Sequence, residues 1–121
     1  MNKAAARRRL FLVALGCLLL VPSAPAQEEQ RIFDVRAQKY TFEPARIEVN
    51  QNDLVKITLS SSDIAHSFVI DDYRISKRVT SDRPVTFEFR ADRPGTFPFY
   101  CNLEIDDGCR KMRGEIVVRA R

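Results

Sequence analysis

Apolar and polar residues alternate through most of the chain beyond residue 30. In Leu54–Ser60, LVKITLS, the side chains of Val55, Ile57 and Leu59 share one face while Lys56 and Thr58 take the other, the period-two pattern of a half-buried strand. Val85, Phe87 and Phe89 alternate in the same way with Thr86, Glu88 and Arg90, and in Arg113–Arg119 the pair Ile116 and Val118 lies opposite Val117. Further stretches of strand length are Ile32–Ala37, Tyr40–Val49 with a break at Pro44, Ile64–Ile70 and the aromatic run Thr96–Cys101. Polar turns punctuate them at Asn50–Asp53, Ser60–Asp63, Val79–Pro84 and Asp92–Gly95, and Asp71–Lys77 reads as a connection containing one short strand. Seven or eight short strands with regular turn signals, and no helix-period segment beyond the N-terminus, predict an all-β fold, an antiparallel Greek-key β-sandwich. The phenylalanines, eight in the chain and all but Phe11 beyond residue 30, and the β-branched residues must supply its core, because the chain has no tryptophan.

The N-terminus departs from this pattern. Arg7, Arg8 and Arg9 precede a twelve-residue apolar run, Leu10 to Val21, and then the small-residue sequence Ala24-Pro25-Ala26. That order is the signature of an export signal, and twelve apolar residues are too few for a hydrocarbon layer of about 30 Å. Residues 1–26 are therefore read as a signal peptide and 27–121 as one domain, periplasmic or secreted and free of the membrane once the signal is removed. Cys17 follows Gly16, but Ala14 stands where a lipidation motif prefers leucine, so Cys17 is assigned to the apolar run rather than to a lipid anchor.

Charge changes meaning with that assignment. The chain has 20 Lys and Arg against 16 Asp and Glu. Without Lys3, Arg7, Arg8 and Arg9 the domain has 20 − 4 = 16 cations against 16 anions. A near-neutral domain offers no argument for nucleic-acid binding.

The chemistry concentrates in Gly95–Gly114, GTFPFYCNLEIDDGCRKMRG, where Cys101, Cys109 and Met112 place three sulfurs within twelve residues. Thiolate, thioether and imidazole together suit copper, Cu(I) above all, and the single histidine, His66, is the one imidazole available. The two cysteines have a rival account. A disulfide between them would close a loop of about nine residues, stabilising an exported domain by roughly 2.5 kcal/mol, and both readings stay open here. Glu104, Asp106 and Asp107 read as a solvated loop tip, as do Arg110, Lys111 and Arg113, although a positive rim beside a redox site could steer an acidic partner. No nucleophilic triad or phosphate-cradling loop is present, so the protein is not expected to be an enzyme.

At these residues the chain resembles the cupredoxins, in particular the copper domain of cytochrome oxidase subunit II and the EfeO-type cupredoxin-like proteins. The similarity is carried by YTFEPARIEVNQNDLVKITLSSSDIAHSF, by GTFPFYC and by MRGEIVV, which together span nearly the whole domain. The resemblance implies a copper site in which His66, Cys101 and Met112 match three family ligands. Against the subunit II pattern, Cys109 falls on the second histidine, Asp106 on a glycine and Ile105 on the second cysteine. One histidine cannot build a blue site, and Ile105 cannot bridge a dinuclear one. What the resemblance leaves is a soft set of His66, Cys101, Cys109 and Met112 holding one copper ion as Cu(I)/Cu(II), for one-electron transfer or copper handling with a redox or copper-delivery protein as partner. The alternative is a metal-free structural or interaction sandwich in which Cys101 and Cys109 are joined. N-terminal sequencing of the exported protein is expected to begin at Gln27; a start at Cys17 would assign it to the lipoproteins instead.

Overall fold

The computed structural model describes residues 11–22 and 29–121. The predicted cationic start at Arg7–Arg9, Leu10, the processing sequence Ala24-Pro25-Ala26 and the expected first residue Gln27 lie outside the described residues. Residues 11–22 have no regular secondary structure, and Phe11, Leu12, Leu15 and Leu20 are exposed. No helix among the described residues is long and apolar enough to cross a membrane.

Nine strands follow: β1 (Gln30–Gln38), β2 (Thr41–Glu43), β3 (Arg46–Asn50), β4 (Leu54–Ser61), β5 (His66–Ile70), β6 (Ile75–Val79), β7 (Val85–Arg90), β8 (Gly95–Tyr100) and β9 (Arg113–Arg119). They form two sheets, one ordered β2-β1-β4-β7 and the other β3-β9-β8-β5-β6. The residues assigned inward from alternation do point inward. Val55, Ile57 and Leu59 are fully buried, as are Phe99 and Ile116, with Phe87, Phe89 and Val118 nearly so.

Two features go beyond the alternation. The sheets are mixed rather than purely antiparallel, because β1 runs parallel to β4 from Gln30↔Leu54 to Ala37↔Ser61, and β3 runs parallel to β9 from Arg46↔Glu115 to Asn50↔Arg119. A period of two assigns side chains to faces but says nothing about the direction of the neighbouring strand. The short strand expected within Asp71–Lys77 lies later, at Ile75–Val79, since Asp71–Tyr73 forms a single 3-10 turn closed by Arg74 in the left-handed region at φ 54°.

The core centres on Phe68 of β5. Its ring stacks on Phe99 of β8 with centroids 4.5 Å apart, meets the edge of Phe42 at 5.6 Å and lies 5.6 Å from Phe87. These contacts join both sheets through one side chain, and each such ring withdraws roughly 150–250 Å² from water. At the opposite end from the β5 N-terminus, the fully buried Asp53 carboxylate accepts from the Asn50 N–H at 2.8 Å and pairs with Arg121 at 2.9 Å and Arg31 at 3.5 Å, so its charge is compensated.

Gly114 of β9 sits opposite Phe99. A Cβ there would fall 2.1 Å from the Phe99 ring and 2.6 Å from the Ala45 carbonyl oxygen. Gly114→Ala is therefore expected to destabilise the fold by about 1–3 kcal/mol through overpacking, read as a lower urea midpoint with an unchanged slope.

Candidate metal centre

The sequence SSDIAHSF folds around a carboxylate. Asp63 Oδ2 accepts from the Lys39 N–H at 2.7 Å; Oδ1 accepts from the Ile64 N–H at 2.6 Å and from the His66 ring at Nε2, 2.7 Å away. Ser61 closes the same turn by donating to the Ile64 carbonyl at 2.5 Å. Burial works to raise the Asp63 pKa, but the donors at Lys39, His66 and Ile64 outweigh it and hold the carboxyl at about 2 against an ordinary 3.8. Above that pH the carboxylate can only accept, so Nε2 of His66 carries the proton. In the neutral ring Nδ1 is then a bare lone pair. It is buried and has no hydrogen-bond partner, on a residue that is itself fully buried at the start of β5.

Cys101 arrives beside this strand on the continuation of β8. The Ser67 N–H, next in chain to His66, donates to Cys101 Sγ at 3.3 Å. Ser67 Oγ donates to Asn102 Oδ1 at 2.7 Å and accepts from the Asn102 N–H at 2.8 Å. Strand and loop are thereby fastened on both sides of the sulfur. Cys109 lies in a single 3-10 turn, Cys109–Lys111, and its sulfur accepts from the Leu103 N–H at 3.0 Å. Met112 follows that turn, fully buried, and its carbonyl accepts from the Cys101 N–H at 3.4 Å. The four predicted residues thus gather at one end of the sandwich, around the β5–β8 junction and the loop that returns to β9.

Of the two accounts left open for the cysteines, the structure adopts the covalent one. Cys101 and Cys109 form a disulfide with Cα atoms 5.2 Å apart. Neither sulfur is then a thiolate, and the shared four-ligand arrangement is not assembled in this oxidised state. Among the described residues no group of three or more His, Cys, Asp and Glu side chains is arranged to hold a metal ion. The donor chemistry still fits a soft cation once the bond is reduced: two thiols, a thioether and an imidazole nitrogen without a partner, oriented by a carboxylate as metal-binding histidines commonly are.

The rest of the loop has structural work. Asp106 Oδ1 accepts from the N–H groups of Gly108 at 3.0 Å and Cys109 at 3.1 Å, and Oδ2 accepts from the Tyr40 hydroxyl at 3.0 Å. The Cys109 N–H is the chief cause holding the Asp106 carboxyl below its ordinary range. Glu104 and Asp107 are exposed, with Glu104 3.6 Å from Arg110. Arg113 lies over the Tyr100 ring at 5.1 Å, and the Tyr100 hydroxyl donates to Asp71. Asp63, Ser67, Asn102 and Tyr40 were not singled out in the sequence. For Asp63 a signal existed, an acid three residues before the only histidine.

A family model described as Cupredoxin-like domain matches residues 10–118. The chain belongs to that family. No curated protein matches it. Among solved structures this cupredoxin-like chain is similar to one from a heme-copper terminal oxidase dimer, with TM-score 0.67 and 17% identity over 76% of this chain and 65% of that one. It is also similar to the periplasmic domain of subunit II of cytochrome oxidase (CoxB) of Bradyrhizobium japonicum, with TM-score 0.66 and 12% identity over 74% and 83%. A third likeness, TM-score 0.62 and 14% identity over 84% and 88%, is to the mixed disulfide intermediate between thioredoxin-like TlpAs and subunit II of cytochrome c oxidase CoxBPD. The chain spans about two thirds of the first of these and most of the other two. At these identities the likeness is one of fold.

Because the folded Asp63 pKa lies below its ordinary value, the stability it contributes is complete above about pH 4 and is lost as pH falls through about 2. Asp63→Asn is expected to lower the urea midpoint near neutral pH, with the gap to the parent protein closing between pH 4 and 2. A gap constant with pH would refute the assignment.

Proposed function

We propose that this is an exported copper-handling protein in which Cys101 and Cys109 alternate between the disulfide and a dithiol that, together with His66 and Met112, holds one copper ion as Cu(I). The observation that carries this reading is the buried, unpartnered Nδ1 of His66. A polar atom withdrawn from water without a partner costs free energy, and here Asp63 accepts from Nε2, so that in the neutral ring this same atom keeps a free lone pair. The two cysteines are buried too, and the sulfur of each already accepts a backbone N–H that suits a thiolate as well as a disulfide.

Copper bound there supplies a one-electron couple. The disulfide favours copper handling over electron transfer as the role of this chain, because making and breaking an S–S bond takes two electrons and removes both thiolates from the donor set. Reduction of the disulfide calls for a thiol partner, and the likeness to a subunit II domain captured with a thioredoxin-like protein supports a partner of that class. Export is supported by the apolar run before the domain, whose described side chains find no place in the fold, and by the likeness to a periplasmic domain. No residue is assigned a catalytic step.

The second reading, a metal-free sandwich stapled by its disulfide, is favoured by the bond itself. Anaerobic Cu(I) titration against a competing chelator separates the two. Reduced mature protein is expected to bind one Cu(I) per chain, oxidised protein none, and Cys109→Ser is expected to weaken binding by at least about tenfold, the lower end of what losing even an outer partner of a ligand costs. Failure of the reduced protein to bind leaves the staple.

A further inference from the structure

The two sulfurs of the disulfide are not equivalent, and we infer that an incoming thiol attacks Cys109, expelling Cys101. This inference rests on the reading of the cysteine pair as redox-active. Both residues are almost completely buried, 1% exposed for Cys101 and 3% for Cys109, so a partner gains access only if one of them moves. Cys101 is built into the sheet junction. It follows β8 directly, its N–H bonds the Met112 carbonyl, its sulfur accepts the Ser67 N–H, and Asn102 is locked to Ser67 by two hydrogen bonds.

Cys109 belongs instead to the loop, and what holds the loop is a clasp from outside it. The Tyr40 ring lies against Gly108 so closely that a Cβ on that glycine would fall 2.1 Å from it. The Tyr40 hydroxyl bonds Asp106, whose other oxygen ties down the N–H groups of Gly108 and Cys109. Tyr40 is itself 38% exposed, and Ile105, which precedes Asp106 in the chain, is 55% exposed, so the clasp sits at the surface where a partner can displace it. Besides the disulfide, Cys109 Sγ is bonded to the Leu103 N–H at 3.0 Å, a partner in the same loop, so lifting the clasp lets Cys109 move with its loop and leaves Cys101 in place.

The exchange balances as follows. A thiolate of a dithiol reductant forms a bond to Cys109 Sγ as the Sγ–Sγ bond breaks, and the electron pair of that bond leaves on Cys101 as a thiolate, which already has the Ser67 N–H as a donor. The reductant's second thiolate then attacks its own sulfur in the mixed disulfide, closing the reductant's disulfide and releasing Cys109 as a thiolate. Two electrons pass to the protein, and the reductant is oxidised by the same two.

Oxidised mature protein is treated with glutathione, quenched in acid at early times, alkylated and digested. Mass spectrometry is expected to find glutathione on Cys109 and the alkyl group on Cys101 in the large majority of opened molecules. Glutathione mainly on Cys101, or equally on both, overturns the inference. As an independent reading, the free thiol of Cys109 in Cys101→Ser is expected to react with an aromatic disulfide reagent about tenfold faster than Cys101 in Cys109→Ser, and equal rates likewise overturn it. Tyr40→Phe, which loses only the hydroxyl, is expected to speed reduction of the parent disulfide about fivefold; an unchanged rate removes the clasp from the account. None of these readouts uses copper, so attack at Cys109 with no copper binding would leave this inference standing while the copper reading fell.

Discussion

The stacked rings of Phe68 and Phe99 set the spacing on which the site depends. Phe68 belongs to the strand that begins with His66, and Phe99 to the strand that runs into Cys101, so their contact at 4.5 Å fixes how far the imidazole strand and the sulfur strand stand apart. Only one residue pair, Val69 and Tyr100, is matched between β5 and β8. Ladder hydrogen bonds therefore do little to hold these strands in register, and burial of aromatic surface between the two sheets takes that role. Edge contacts from Phe42 bring the other sheet onto the same pair.

Around that frame the site is held by layers of unequal rigidity. Asp63 collects three donors and aims His66, and Ser67 and Asn102 brace Cys101; all of these belong to strand ends or tight turns. Cys109 and the chain leading to it depend on Asp106 and on one tyrosine that comes from the connection between β1 and β2. The half that carries His66 and Cys101 is thus held by the sheet ends, and the half that carries Cys109 by contacts of its own loop and by Tyr40. In the function proposed above, the soft donor set and the cross-link would be two states of one loop.

Much of the fold was legible from alternation alone. Val55, Ile57, Leu59, Phe87, Phe89, Ile116 and Val118 could be placed inside because a strand turns every second side chain to the same face. His66, Cys101, Cys109 and Met112 stood out because three sulfurs lie within twelve residues beside a lone histidine, and His66, Cys101 and Met112 match a family pattern from which Cys109 departs. Strand direction was not legible, since the parallel pairing of β1 with β4 and of β3 with β9 leaves no mark on a period-two pattern. Nor was the complete burial of β5, whose Ser67 is covered by the loop after Cys101 rather than by anything nearby in sequence.

The sequence by itself determined which side chains could share a face, how many strands there would be to within one or two, and which atoms were chemically able to grip a soft metal. It left the cysteines undecided, because eight residues of separation permit either a direct bond or a shared ion. The tertiary structure decided that question by bringing the two Cα atoms to 5.2 Å, and it steadied the carboxylate that aims His66 by delivering the Lys39 N–H to Asp63. Composition and periodicity describe local preference, whereas distances between residues 24 to 35 positions apart follow only from how the sheets pack.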